Sequence, residues 1–467
     1  MSGRLRGAGM EILGWVLSGV GTLSLLAFLG FAVVSFFEQE VRAAWIALGL
    51  VFISGLFIVI PIWFPVLQLG MGLVLAISFA SFFALCSITA TNEIVEFEVP
   101  GGRIDERDIM FARARLRQNT PNYDNYYAKH QEKKRGDDQI RKKPGLLQPG
   151  SKYFNASLAA ASHAIFEIPE HLRNHVEGRP AAQNEELGSQ PSTHDLKHFL
   201  KHFVRYLGGL EVGVCNLQPY HFYSHVGRGT GEYGSPIECS HRTAIVFTLE
   251  MKKEMVDCAP ATPITLESAR NYANGATIAV QVAHFLRSLG HDARAHIDGN
   301  YRVIAPLVAR DAGLGEIGRM GILMTPKLGP RVRLGVITTD VELEADPIPD
   351  FGYMIKFCNI CKKCADTCPS RAIPMERRNV SNGALRWQIN QESCFHYWVT
   401  AGTDCGKCMA VCPFSHPDNL AHNVVRRGIQ YSEVIRRAAL LLDDFFYSRH
   451  PKSKSPPSWS DNTTKEP

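Results

Sequence analysis

The pattern of apolar and polar positions divides the chain in two. Residues 12–37, 43–64 and 66–90 are three apolar runs without a charged side chain. Each reaches the roughly 20 residues a helix needs to cross about 30 Å of hydrocarbon. Pro61 and Pro65 mark a tight link between the second and third runs. One such run could be a cleaved signal; three in series predict a retained three-helix anchor. Beyond residue 92 the pattern is that of a folded, water-facing chain. Residues 105–118 read as a charged helix. Residues 120–150 read as a polar, surface-wrapping segment, in which Lys133, Lys134 and Arg135 alternate with Asp137 and Asp138. Residues 178–192 read as a loop. From His194 the pattern predicts a helix over 197–207 and strands over 211–215 and 243–251. A long helix follows, with Thr265 as N-cap and Gly290 as C-cap. Its apolar positions Ile278, Val282, Phe285, Leu286 and Leu289 recur at helical spacing. Strands are expected at 301–304 and 332–338. Helices and strands without βαβα alternation imply an α+β fold.

At 467 residues the chain has room for two or three domains. The reading divides it into an anchor (1–92), an N-terminal wrapping segment (93–193), a core (194–350), a cysteine-rich module (351–420) and a C-terminal helix and tail (421–467). A formal net charge of +5 is small for this length and gives no reason to expect a nucleic-acid partner. Of the twelve cysteines, Cys86, Cys215, Cys239 and Cys258 are scattered and read as core or membrane residues. The other eight carry chemistry. Cys358, Cys361, Cys364 and Cys368 with Pro369 follow C-x2-C-x2-C-x3-C-P, the bacterial ferredoxin pattern, in which the fourth cysteine ligates the other cluster. Cys405, Cys408 and Cys412 with Pro413 form a shorter second run, and Cys394 supplies its missing ligand. This assigns Cys358, Cys361, Cys364 and Cys412 to one [4Fe–4S] cluster and Cys368, Cys394, Cys405 and Cys408 to another. Two zinc sites are the main rival. A disulfide framework fits the spacing less well.

The first histidine of the chain is His130, so the three apolar runs cannot hold a bis-histidine haem. Anchoring or partner docking is the reading that remains for them. Arg4 and Arg6, split by Leu5, favour a cytoplasmic N-terminus, whereas Arg103, Arg107, Arg113, Arg115 and Arg117 after the third run pull the other way. Clusters are inserted in the cytoplasm, and no twin-arginine pair precedes the runs. The expectation is an inner-membrane protein whose catalytic domain faces the cytoplasm. Gly313, Gly315 and Gly318 match G-x-G-x-x-G, but no βαβ unit frames them. Close backbone packing against a large planar cofactor explains them as well as a dinucleotide would.

Several stretches make the chain resemble the corrinoid-dependent reductive dehalogenases: residues 143–150 (KPGLLQPG), 312–321 (AGLGEIGRMG), 329–333 (GPRVR), 361–373 and 402–413. The likeness covers roughly residues 104–459. The three-helix anchor departs from the respiratory members, which carry a cleaved twin-arginine leader. The resemblance implies a nitroreductase-like cobalamin-binding core beside a two-[4Fe–4S] ferredoxin-like module. It implies Tyr272 as proton donor, supported by Arg333 and Asn300, and Gly313, Gly315, Gly318 and Arg331 as cofactor-binding residues. No D-x-H-x-x-G is present, which agrees with base-off cobalamin without a protein ligand to cobalt. The implied partners are an organohalide substrate, a low-potential electron donor (ferredoxin, flavodoxin or a membrane reductase) and membrane lipid. Tyr220, Phe222, Tyr223 and Trp398 are candidates to line a substrate pocket, with aromatic core packing as the commoner alternative. Two other readings compete. An epoxyqueuosine reductase would share the corrinoid and clusters but should show a basic tRNA face and needs no anchor. A membrane-bound ferredoxin-type electron-transfer subunit leaves residues 104–350 without a role.

Overall fold

The computed structural model describes residues 2–87, 99–181 and 191–460, and the side chains of 2–9 and 85–87 lie outside the description. Cys86, Arg4, Arg6 and residues 182–190 of the expected loop are therefore outside the described residues. The chain forms two compact units, one of residues 1–94 with 417–451 and one of residues 95–416 with 452–467.

The first unit opens with helices α1 (Ser2–Phe37), α2 (Val41–Trp63) and α3 (Gln68–Ser87). Within them Met10–Phe37 and Val41–Trp63, and with the preceding turn Pro65–Ala84, are long and apolar enough to cross a membrane. Small residues let α1 and α2 approach closely: Ala32, Ala43 and Ala47 are buried between them, and a Cβ on Gly21 would stand 3.0 Å from the Ser54 carbonyl. The Gln68 amide donates to the Pro61 carbonyl at 2.9 Å, satisfying it where the chain turns.

The second unit departs from the pattern at its start. Residues 105–118 form a 3₁₀ turn (Glu106–Asp108) and a short helix α4 (Met110–Arg113) in place of one charged helix. The reason is Arg113, which is turned inward and almost fully buried. It pairs with Asp137 at 2.6 Å and with Glu392 at 2.5 Å. Asp137 belongs to α6 (Gln131–Arg141), which follows α5 (Pro121–Lys129). These two helices bury Tyr123, Tyr126 and Tyr127, so residues 120–150 are a packed subdomain more than a surface wrap. Helices α7 (Ala156–His171) and α8 (Thr193–Tyr206) lead into the core.

The core is built from β1 (Val212–Asn216), β2 (Thr243–Glu250), α9 (Lys253–Val256), α10 (Pro263–Ser288), β3 (Ala293–His296), α11 (Ala305–Asp311), β4 (Glu316–Ile317), β5 (Leu323–Met324) and β6 (Val332–Thr339). Four strands make one antiparallel sheet in the order β1-β2-β6-β3. Alternation sorts its two faces. Ile245, Phe247, Leu249 and Ile337 pack on α8 and α10, while Ala244, Val246 and Val336 pack on Val308 and Ala309 of α11. The fold is mixed α and β, as the pattern predicts. Two details differ. Helix α10 starts at Pro263 after Thr262, because Pro is suited to the first helical position; Thr265 lies inside the helix and turns its hydroxyl to Asp404. Residues 301–304 form no strand; Val303 makes only a bridge to Phe222.

The cysteine-rich region follows as α12 (Gly352–Cys361), α13 (Lys363–Asp366), a β7–β8 hairpin (Asn379–Ser381, Ala384–Arg386), α14 (Gln391–Ala401) and α15 (Lys407–Ala410). The chain then returns to the first unit as α16 (Leu420–Tyr431) and α17 (Glu433–Tyr447). Phe446 packs with Ala32, Ala43 and Ala47, and Glu38 accepts from the Asn419 amide and meets His422 at 3.1 Å. Residues 452–460 go back to the second unit, where Lys454 N–H donates to the Asp257 carbonyl at 3.0 Å.

Removing one partner of a buried ion pair leaves an uncompensated charge. Asp137→Ala should therefore cost on the order of 3–5 kcal/mol, seen as a lower midpoint of thermal unfolding in detergent. An unchanged midpoint would show that Arg113 finds another partner.

Candidate active site

The cysteines are positioned by short helices broken at left-handed residues. Lys362 (φ 55°) ends α12 just after Cys361, and Cys405 (φ 59°) with Gly406 (φ 64°) precedes α15. These breaks turn successive cysteines inward. Cys412 lies within electrostatic reach of Cys358, Cys361 and Cys364, and Cys405 within reach of Cys394 and Cys368. Cys408 faces Cys405, Cys394 and Cys368, and also Cys364. The structure thus gathers the eight into two adjoining quartets, each drawing members from both motifs. Burial raises these thiols, pushing Cys364 and Cys405 up to about 12 and Cys394 to about 11. Thiols held this far from water ionise only against a cation, which suits metal ligands and not free nucleophiles. Among the described residues no group of three or more His, Cys, Asp or Glu side chains stands where it would hold a single metal ion. Backbone N–H groups of Ala365, Lys407 and Phe414 also hydrogen-bond the sulfurs of Cys364, Cys405 and Cys412.

Two residues beside the quartets escaped the sequence reading. Arg319 is buried next to Cys358, Cys361 and Cys364, donating to the carbonyls of Cys358 (3.1 Å), Pro374 (2.8 Å) and Glu376 (2.8 Å). Its guanidinium also lies 4.5 Å from the centroid of the Trp387 ring. Asp404 directly precedes Cys405. It accepts from Thr265 at 3.0 Å, from Ser268 and from Arg333 at 3.1 Å.

Through Asp404 the cysteine loop touches a second group of residues. Arg333 projects from β6 towards α10, donates to Ser268 at 2.6 Å and lies 5.3 Å from the Tyr272 ring centroid. Tyr272 is raised by burial, an effect that outweighs the opposing pull of Arg333. Tyr301 is raised well above its usual value by burial and by Tyr272, and Asp298 faces both phenols. Tyr223, Tyr272, Tyr301 and Arg333 lie deep in the protein yet keep accessible surface, 16% for the Arg333 side chain. Arg333 Nε is also buried without a protein partner. The group therefore sets an unmet donor beside the phenols of Tyr272 and Tyr301.

Other expected residues point elsewhere. The Asn300 amide is fully buried; its oxygen accepts from Arg294 (2.9 Å) and from Thr230, and its nitrogen donates to the Arg173 carbonyl (3.3 Å). Asp298 and Tyr301, on the same turn, stand beside Tyr272 in its place. Arg331 bridges Glu250 (2.6 Å), the Met251 carbonyl (2.5 Å) and the Ser415 carbonyl (3.1 Å), so its guanidinium is a strut inside the protein. At Gly315 (φ 158°) a Cβ would stand 2.0 Å from the Met324 carbonyl, and at Gly318 it would meet the Met324 sulfur at 2.2 Å and Cys358 Sγ at 3.7 Å. Gly313 packs on Pro347 in the same way. These glycines let the chain close on β5 and the first quartet. Gly318 also borders an apolar cavity of about 470 Å³, with Ile317, Ile355 and Trp387 among its walls. Tyr220 donates to Asp311 (2.6 Å), Phe222 is buried in the core, and Trp398 lies against Phe111, so these three aromatic candidates are taken up in packing and hydrogen bonding.

Residues 357–416 match the family described as 4Fe-4S dicluster domain. The tetrachloroethene reductive dehalogenase of Desulfitobacterium hafniense is 35% identical over 216 residues, covering 44% of this chain and 38% of that protein. The enzyme of the same name from Sulfurospirillum multivorans is 35% identical over 207 residues, covering 43% and 41%. Among solved structures, a catabolic reductive dehalogenase in complex with 3-bromo-4-hydroxybenzoic acid superposes with a TM-score of 0.62 at 25% identity, over 78% of this chain and 49% of that one. The chain thus spans about two fifths of the curated relatives and half of the solved one. With an iron–sulfur region that matches in sequence and a body that matches in structure, the chain is similar to the reductive dehalogenases over those parts.

Proposed function

We propose that this protein removes halide from an organohalide, replacing carbon–halogen by carbon–hydrogen with two electrons and one proton. The observation that carries the reading is the joining of Tyr272 and Arg333, through Asp404, to the loop bearing Cys405. Electron entry and proton supply are then held on one frame. The two cysteine quartets would hold two [4Fe–4S] clusters. A base-off corrinoid in a nitroreductase-like core would face Tyr272, Tyr301 and Tyr223. When bound, the clusters supply electrons singly and the corrinoid supplies two-electron reduction of the carbon–halogen bond. The chain's own residues do the rest. Tyr272 is a neutral phenol below about pH 10 because burial raises it. It holds the proton to be delivered, and Arg333 stabilises the phenolate left behind. Arg333 cannot itself be the donor at working pH. The enclosing walls exclude water, so the proton comes from a fixed atom. A low-potential ferredoxin, flavodoxin or membrane reductase would supply the electrons, with α1–α3 holding the protein in the inner membrane.

The reading makes three tests. Reconstituted anaerobically, the protein should bind about eight irons and one corrinoid. Cys412→Ser should remove the spectroscopic signal of one cluster and spare the other; zinc in place of iron would reject the assignment. Tyr272→Phe keeps the ring and should retain corrinoid and clusters while losing roughly 10²–10⁴-fold of halide release. The unaltered enzyme should keep a full complement of protonated donor from pH 6 to 9, with any loss due to Tyr272 confined to the range above about 10; near-normal turnover in the phenylalanine variant would remove Tyr272 from the mechanism. For the membrane, protease added to spheroplasts should leave residues 99–460 intact, and digestion from outside would reverse the proposed orientation.

A further inference from the structure

Helices α16 and α17 are built inside out for a water-soluble hairpin. On α17 the buried stripe is Arg436, Ala439, Asp443 and Phe446, at i, i+3, i+7 and i+10. The neighbouring stripe, Ile435, Leu442 and Phe445, is apolar and 43–50% exposed. Helix α16 repeats the arrangement. His422, Arg426 and Ile429 face inward, whereas Leu420, Val424 and Tyr431 are 64–82% exposed. Three inward polar side chains have partners: His422 meets Glu38 at 3.1 Å, Arg426 donates to the Pro417 carbonyl at 3.0 Å, and Arg436 donates to the Ile429 carbonyl at 2.9 Å. In water this orientation is unfavourable on both faces, since it buries charge and exposes hydrocarbon. Against lipid both faces are favourable, because polar groups are sheltered in the protein and apolar ones meet acyl chains.

The position of the hairpin supplies the second argument. Phe446 sits among Ala32, Ala43 and Ala47, and its ring lies 4.8 Å from that of Phe31. Ala43 and Ala47 belong to the first two turns of the apolar span Val41–Trp63, and Phe31 and Ala32 to the last turns of Met10–Phe37. Arg42 donates to the Phe445 carbonyl at 3.1 Å, satisfying the end of α17 at that level. A helix docked sideways on two spans at their ends stands at the headgroup–acyl boundary.

We infer that α16–α17 is a fourth anchoring element, an interfacial hairpin whose stripes at Leu420, Val424, Tyr431, Ile435, Leu442 and Phe445 contact membrane lipid. The inference is independent of the reaction and rests on α1–α3 spanning the bilayer. The full chain is reconstituted in phosphatidylcholine vesicles containing a phosphatidylcholine with a diazirine in its acyl chain. After illumination, lipid adducts are mapped by peptide mass spectrometry. Adducts are expected on residues 10–84 and also on 420–447, several-fold denser at Val424, Leu442 and Phe445 than at Arg436 and Asp443. The double variant Val424→Lys, Leu442→Lys should lower the yield on 420–447 several-fold and leave that on 10–84 unchanged. Adducts on 10–84 with none on 420–447 would overturn the inference while keeping the spans, as would crosslinks from the hairpin to another protein segment or a second copy in place of lipid. Adducts on neither region would overturn both the spans and the hairpin, and neither result bears on halide release.

Discussion

The carboxylate of Asp404 is nearly buried and holds three elements of the catalytic unit together. It is reached by the hydroxyls of Thr265 and Ser268 from α10 and by the guanidinium of Arg333 from β6, and its own N–H donates to Thr265 at 3.1 Å. A buried charge of this kind is tolerated only when every lone pair has a donor. Here the donors come from a helix, a strand and the loop that carries Cys405. Each element is fixed by its own hydrophobic packing, and the carboxylate sets their relative register. Tyr272 lies one turn beyond Ser268 on α10, so the same register fixes where its phenol stands. The order of dependence runs from packing of α10 on the sheet, to the polar hub, to the phenol.

Burial acts in the same sense on the two halves of the site, with different consequences. It raises the thiols of the quartets, which makes them dependent on metal for ionisation. It also raises Tyr272, which keeps the phenol loaded with its proton. Under the proposed function, one half would hold positive iron and the other a proton. Arg319 and Arg333 are the two buried guanidiniums at these places, one beside Cys358 and one beside Tyr272. Both oppose the local cost of negative charge, in thiolate or phenolate.

The 4Fe-4S dicluster character of residues 357–416 was legible because metal ligation imposes a spacing within a few residues, and Cys358–Cys364 obey it. The apolar spans were legible for a similar reason, since bilayer thickness is written as run length. The sheet strands at 212–216, 243–250 and 332–339 also followed from continuous apolar runs. What failed depended on contacts between distant segments. Residues 105–118 have helical composition, but the pull of Asp137 and Glu392 on Arg113 breaks them. Asn300 and Tyr301 are neighbours on one turn, and nothing local says which faces Tyr272. Arg319 and Asp404 stand in plain view beside motifs, yet their partners are 39 and 71 residues away. The amphipathic pattern of α16 and α17 shows two faces to each helix, but not that the charged one is inside.

The path of the chain has a bearing on how the protein can be divided. It leaves the catalytic unit after residue 416, visits the anchor, and returns at residue 452 to pin Lys454 against Asp257. Cutting after residue 94 would thus not liberate a water-soluble enzyme. It would strip Phe446 of Ala32 and Ala43, deprive His422 of Glu38, and leave an amphipathic hairpin tethered at both ends with neither of its faces matched to its surroundings. A fragment limited to the second unit calls for excising 417–451 as well and bridging the gap with a short linker, because the two units are interwoven along the chain.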